Sequence, residues 1–154
     1  MRLREETRGF VEQVGLALQS LGAARNSGRL LGVLLVAEEP ISLDAACRVL
    51  RASKASVSTN ARWLETAGLL QRVGYAGDRK DYYQVSPGTF ERLLSRRVVE
   101  AKEWVRLAEF GLKAIEKENL VARARLEEMQ ETYRFLVAQL TKLVERLEER
   151  RTTS

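Results

Sequence analysis

A chain of 154 residues, 45% hydrophobic and 31% charged, has the composition of one folded domain, alone or with a helical extension. Its net charge of +5 suits a polyanionic partner without requiring one. It has no histidine and a single cysteine, Cys47, which excludes His-based metal sites, the Ser-His-Asp arrangement and any internal disulfide.

No run approaches the roughly 18 apolar residues of a membrane span. The N-terminal Met1-Arg2-Leu3-Arg4-Glu5-Glu6 lacks a signal-peptide core, so the expected compartment is the cytoplasm, with no membrane partner. There is no Gly-rich phosphate loop and no paired-carboxylate signature, so neither an enzyme nor a bound cofactor is expected.

The first element, over residues 3 to 21, carries Phe10, Val11, Val14, Leu18 and Leu21 at three- and four-residue spacings, an amphipathic helix that Gly22 ends. Asn26-Ser27-Gly28 reads as a break with a capping residue. The near-continuous apolar run that follows, with Leu30, Leu31, Val33, Leu34, Leu35 and Val36, fits a buried strand or a buried helix by pattern. Its length, Gly28 to Ala37, favours a helix. Arg25 and Arg29 flank the start, where phosphate contacts and solvated surface positions are equally open readings.

Pro40 disfavours helical geometry in the residue before it and stops that helix at Glu38-Glu39. Ser42 then caps a helix from Leu43 to Leu50 with Leu43, Ala46, Cys47 and Leu50 inward, which favours a structural role for Cys47 over a redox sensor. Arg51-Ala52 is a turn, and Ser53 caps the next helix, whose apolar stripe is Val57, Ala61 and Leu64. Ser53, Lys54, Ser56, Ser58, Thr59, Asn60 and Arg62 are short polar or cationic residues largely off that stripe, of the kind that approach base edges and phosphates closely. Ser, Thr and Asn weaken a helix interior, so their density over Ser56 to Asn60 calls for a reason other than helix stability, although an ordinary solvated face remains the alternative.

Gly68 stands where a left-handed C-cap is expected. Leu70, Val73 and Tyr75, then Tyr82, Tyr83 and Val85, supply β-formers on either side of Ala76-Gly77-Asp78-Arg79-Lys80-Asp81. Gly77-Asp78 is turn chemistry, and Arg79 and Lys80 place two cations at the tip, suited to the negative potential of a narrow minor groove. Asp78 and Asp81 would repel phosphate if they pointed outward, so at least one is expected to orient Arg79 or the hairpin backbone.

The order helix, turn, helix, basic hairpin is that of a winged helix-turn-helix. Ser53 to Val73 with Gly77 to Val85 resembles the MarR-type winged-helix transcriptional regulators, most closely the subgroup that includes the GbsR repressors of glycine-betaine synthesis genes, and the segment Gly28 to Ala46 fits the same subgroup. The resemblance covers about residues 10 to 90 and is most specific from Val57 to Tyr83; it departs at Ala61, where a larger apolar residue is usual, and at Trp63, where a polar one is usual. It implies double-stranded DNA as the partner, agrees with a helix from Gly28 to Ala37, and carries over no ligand residue.

Ser86-Pro87-Gly88 opens the remaining part, Ser86 as N-cap and Pro87 at the first helical position. A helix follows from Thr89 to about Lys117, and another from about Leu120 to Arg150 after a break near Glu118-Asn119. In the last helix Leu126, Met129, Tyr133, Leu136, Leu140, Leu143 and Leu147 form a heptad seam. The seam exceeds what a small winged helix covers, which points to a hairpin with the preceding helix, a homodimer, or both.

The expected architecture is therefore mainly α with a small β-hairpin wing. Residues 1–24 form an N-terminal packing or dimerisation helix, 25–86 the winged helix-turn-helix, 87–151 a long helical hairpin for dimerisation and 152–154 a tail. The function it implies is a dimeric sequence-specific regulator, in the first place a repressor, on an inverted-repeat operator. Its recognition helix, 53–67, lies in the major groove and its wing, 70–85, at the flanking minor groove or backbone. The alternatives are a winged helix that binds protein and a non-specific architectural DNA-binding module. A small-molecule effector is compatible with this architecture. Trp63, Trp104, Phe110, Tyr133 and Phe135 are candidates for an aromatic cage around a quaternary ammonium group, or simply for packing between helices.

Overall fold

The structure, a computed structural model, describes residues 4–152. The expected helical start at residue 3 and the tail residues 153 and 154 lie outside them. The elements in chain order are α1 (Glu5–Ser20), α2 (Arg25–Leu35), β1 (Ile41–Ser42), α3 (Leu43–Leu50), α4 (Lys54–Thr66), β2 (Gln71–Val73), β3 (Tyr82–Gln84), α5 (Thr89–Ala114) and α6 (Leu120–Thr152). The chain divides between Thr89 and Phe90 into two compact units.

In the first unit α1 packs on α2, and α2 carries α3 and α4. The core joins Val11 of α1 to Leu30, Leu31, Val33 and Leu34 of α2, Ala46 and Leu50 of α3, Val57, Ala61 and Leu64 of α4, and Ile41, Leu70 and Tyr83 around the sheet. The apolar run from Leu30 is thus a helix. It starts earlier than its sequence suggests, because Asn26, Ser27 and Gly28 lie inside the first turns of α2 and the break falls at Gly22, whose φ is +87°. Gly28 is a crossing residue. A Cβ there would lie 2.5 Å from the Val14 carbonyl oxygen and 2.7 Å from the Gly15 Cα. The α1 stripe is correspondingly Val11, Val14, Gly15 and Leu18, whereas Phe10 and Leu21 are exposed.

The sheet is antiparallel in the order β1-β3-β2, with Tyr83 paired to both Ile41 and Arg72. The strand β1 has no sequence signature: two residues are too short to show alternation. Cys47 is half-buried against the core.

The second unit is the pair α5 and α6. Glu91 meets Arg151 at 3.4 Å, Glu109 meets Arg134 at 2.9 Å, and Arg123 donates to the Leu112 carbonyl at 3.4 Å, so the two helices run antiparallel. The break between them spans 115–119, and the Asn119 side chain caps α6 by accepting from the Ala122 N–H at 3.1 Å. Ser86 does not cap α5. Its hydroxyl donates to Gln71 Oε1 at 2.6 Å, and the Ser86 carbonyl accepts from the Thr89 side chain at 2.7 Å.

The heptad seam divides. Leu126, Met129, Tyr133, Leu140 and Leu147 are half-buried within the chain, while Leu136 and Leu143 are exposed, with Phe135 beside them. Tyr133 stacks on Trp104 with ring centroids 5.6 Å apart and planes at 22°. These two rings face each other, and Phe110 and Phe135 are two-thirds exposed, so these four aromatics form no cage within the second unit. Packing is the reading that stands for Trp104 and Tyr133.

Candidate nucleic-acid interface

Two serines set the helix-turn-helix. The Ser42 hydroxyl accepts from the Ala45 N–H at 3.3 Å at the start of α3, and the Ser53 hydroxyl accepts from the Ser56 N–H at 3.2 Å at the start of α4. Between the helices Arg51 adopts the left-handed conformation with φ 52°, the one non-glycine residue to do so among the described residues. This reverses the chain in a tight turn and closes a backbone bond from the Ala52 N–H to the Cys47 carbonyl.

Val57, Asn60, Ala61 and Leu64 make the buried face of α4. Opposite them Ala55, Thr59, Arg62, Trp63 and Thr66 are exposed, and Ser56 and Ser58 are half-buried at the edges. Arg62 has no ion pair with another described residue, which leaves its five N–H donors for a ligand. Lys54 leans toward α3 and meets Asp44 at 3.2 Å.

Asn60 does not join the outward set. It is 9% exposed; its side chain accepts from the Ser27 hydroxyl at 2.6 Å and donates to the Ser56 carbonyl at 2.7 Å. A buried amide needs such partners, and pattern alone does not separate an inward Asn from an outward one. Trp63, in contrast, is 45% exposed and extends the outward face. Its place two residues after buried Ala61 in a helix was the available signal.

The wing tip is built on Asp78. One carboxylate oxygen accepts from the Lys80 backbone N–H at 2.9 Å and the other from the Tyr82 hydroxyl at 2.9 Å. The Lys80 N–H and the Tyr82 hydroxyl hold the Asp78 carboxyl below the usual carboxylate range, and the same bond pushes the Tyr82 hydroxyl up. Tyr82 also meets Tyr75 edge to face with centroids 4.9 Å apart, which closes the base of the loop. Gly77 takes the positive φ of the turn, +84°. Arg79 and Lys80 stand exposed at the tip. Asp81 lies 3.5 Å from Arg72, and its carbonyl accepts from the Leu43 N–H at 3.1 Å, tying the wing to the start of α3. Asp78 and Asp81 are thus turned to the wing itself.

An open cavity of about 830 Å³ lies beside β1 and the N-cap of α3, lined among others by Arg4, Val36, Glu38, Glu39, Ile41 and Tyr82. Among the described residues no cluster of His, Cys, Asp and Glu has the arrangement of a metal site, and no helix is long and apolar enough to cross a membrane.

A helix-turn-helix followed by a basic, internally braced hairpin defines a winged-helix DNA-binding protein of the transcription-regulator class. The family model of MmpR5-like MarR family transcriptional regulators matches residues 88–150. The chain is 36% identical over 128 residues to the HTH-type transcriptional regulator MmpR5 of Mycobacterium tuberculosis, covering 82% of this chain and 78% of that protein. It is 24% identical over 86 residues to the putative HTH-type transcriptional regulator YvaV of Bacillus subtilis, covering 56% of this chain and 49% of that one. A crystal structure of a transcriptional regulator superposes with TM-score 0.83 at 32% identity, covering 94% of this chain and 99% of that chain. The chain belongs to the MarR family of transcriptional regulators, in its MmpR5-like group.

Proposed function

We propose that two copies of the chain bind one inverted-repeat operator and repress transcription from it. Each α4 enters the major groove and each wing contacts the flanking minor groove or backbone. The observation that carries this reading is the division of α4: one face is closed in the core, and the other presents Thr59, Arg62 and Trp63 to solvent. The proposed contacts are Ser53, Lys54, Ser56, Ser58, Thr59 and Arg62 on α4, with Trp63 added and Asn60 withdrawn, and Arg79 and Lys80 on the wing. Thr59 and Arg62 suit base edges, because Arg pairs with guanine through two hydrogen bonds. Arg79 and Lys80 suit phosphate and a narrow minor groove.

A homodimer is supported by the apolar side chains that α6 leaves uncovered, Phe135, Leu136 and Leu143. Two-fold symmetry places paired recognition helices about 34 Å apart, which fits an inverted repeat. A repressor role is supported by the resemblance of residues 10 to 90 to the GbsR repressors. An effector, if the regulator takes one, would act by changing the spacing of the two reading heads.

The test is sedimentation of the purified chain with binding to mixed-sequence duplex across a salt series. The account expects a dimer at micromolar concentration and affinity that falls steeply with salt. A monomer, or binding indifferent to salt, would contradict it.

A further inference from the structure

Arg29 is one of the two arginines that the sequence leaves between phosphate contact and solvated surface. Its guanidinium has three other partners. Nε donates to Glu12 Oε1 of α1 at 2.7 Å, Nη1 to Asn26 Oδ1 at 3.1 Å, and Nη2 to the Leu50 carbonyl at 3.4 Å. Leu50 is the last residue of α3, immediately before the left-handed Arg51 that turns the chain into α4. A cation at that carbonyl complements the negative end of α3 and fixes the turn. Gly15 makes room for the side chain: a Cβ there would come within 2.8 Å of the Arg29 Cγ.

The partners of Arg29 continue into the recognition helix. Asn26, whose side-chain oxygen accepts from Arg29, donates through its nitrogen to the Ser56 hydroxyl of α4 at 3.4 Å. One residue on, Ser27 donates to Asn60, and Asn60 donates to the Ser56 carbonyl. A continuous polar chain therefore runs from Glu12 on α1 through Arg29 and the start of α2 to Ser56 and Asn60 on α4. Charge reinforces it. Burial pushes the Glu12 carboxyl up, but hydrogen bonds and charge from Arg25 and Arg29 outweigh that and hold it below its usual range.

We propose that Arg29 is a positioning residue for sequence reading: it sets the turn before α4 and the seating of α4 on α2, and makes no phosphate contact of its own. The inference rests on the DNA-reading role proposed above and adds where the aim of the recognition helix is set. Only a planar fork with several donors serves three acceptors on three elements, so lysine is no substitute.

The experiment compares the parent with Arg29→Gln, Arg29→Lys and Asn26→Ala, each at a temperature where its circular dichroism is native. Binding to the duplex the parent selects from a random pool and to a scrambled duplex is measured over a salt series. All three variants are expected to lose about 3- to 30-fold of the selected-to-scrambled affinity ratio. The slope of log affinity against log salt should stay at the parent value. A phosphate contact predicts the opposite: both duplexes weaken alike and the Arg29→Gln slope drops by about one. That result, an unchanged ratio in Asn26→Ala with Arg29→Gln, or full recovery in Arg29→Lys, overturns the inference while the DNA-reading role stands. A parent that prefers no sequence overturns both. Should Arg29→Gln fail to fold, Arg29→Lys decides the matter: a ratio equal to the parent's overturns the inference, and a lowered ratio at an unchanged salt slope supports it.

Discussion

The Ser27 hydroxyl donates to Asn60 Oδ1 at 2.6 Å across the contact between α2 and α4, with both side chains buried. This bond seats α4 on α2. Asn60→Ala leaves the Ser27 hydroxyl buried without that acceptor and is expected to cost about 1–3 kcal/mol. Urea unfolding measures it: the midpoint should fall with the slope unchanged. A midpoint equal to the parent's would show that the bond does not hold the helix.

Gly28 predicts a larger disturbance from a smaller change. A Cβ at this position overlaps the Val14 carbonyl oxygen and the Gly15 Cα, both of them backbone atoms that cannot swing aside. Gly28→Ala should destabilise the first unit by about 1–3 kcal/mol through overpacking, although alanine is the better helix former. Gly9, with nothing within 4 Å of its Cβ position, is the control: Gly9→Ala should be neutral or stabilising in the same unfolding series.

Much of this arrangement was legible in the sequence, and what was not has physical reasons. Ser42 and Ser53 announce α3 and α4 because an N-cap needs a side-chain acceptor at one defined place, and both serines make that bond. The wing followed from β-formers around Gly77-Asp78, and Asp78 does brace the wing backbone. The start of α2 at Arg25 is hidden because Asn26-Ser27-Gly28 has the composition of a break. In the structure those residues meet α1 and α4, and no local rule sees a partner 30 residues away. The inward side chain of Asn60 is hidden for the same reason, because its partner Ser27 lies 33 residues away. The split of the α6 seam depends on which leucines α5 covers, and a heptad pattern alone does not say.

Asp78 ties the wing to pH. Its carboxyl sits below its ordinary value in the folded chain because the Lys80 N–H and the Tyr82 hydroxyl bind the ionised form. A group depressed on folding stabilises the fold above its unfolded pKa, and that contribution is lost as pH falls through the lowered folded value. The Tyr82 ring resonances should therefore shift on acidification below the ordinary carboxylate range, with the Lys80 amide losing protection relative to its intrinsic exchange rate at the same pH. Asp78→Asn should abolish that transition; its survival in the variant would assign it to another group.

The uncovered leucines of α6 give a prediction about assembly. Leu136→Asp with Leu143→Asp places two charges on exposed apolar sites and should weaken a dimer at least tenfold, because a charge in an apolar interface is costly. Helicity should remain, since neither side chain is in the core. Sedimentation equilibrium measures the change. A variant as dimeric as the parent would move the interface away from this face.

Arg62 and Arg79 test the two proposed modes of contact. Arg62→Ala should weaken binding to the preferred duplex by about 1–3 kcal/mol and relax preference at one base pair. Arg79→Ala should lower the salt slope by about one and reduce discrimination of A·T-rich flanks. Competition binding with duplexes varied one position at a time reads both effects.

The most direct test of a dimeric sequence-reading protein is selection of bound duplexes from a random DNA pool by the purified full chain. The account predicts enrichment of an inverted repeat whose half-site centres lie about one helical turn apart, with affinity that falls steeply as salt rises. Retention of DNA without enrichment of any sequence, or no retention under conditions where the dimer is intact, would contradict it.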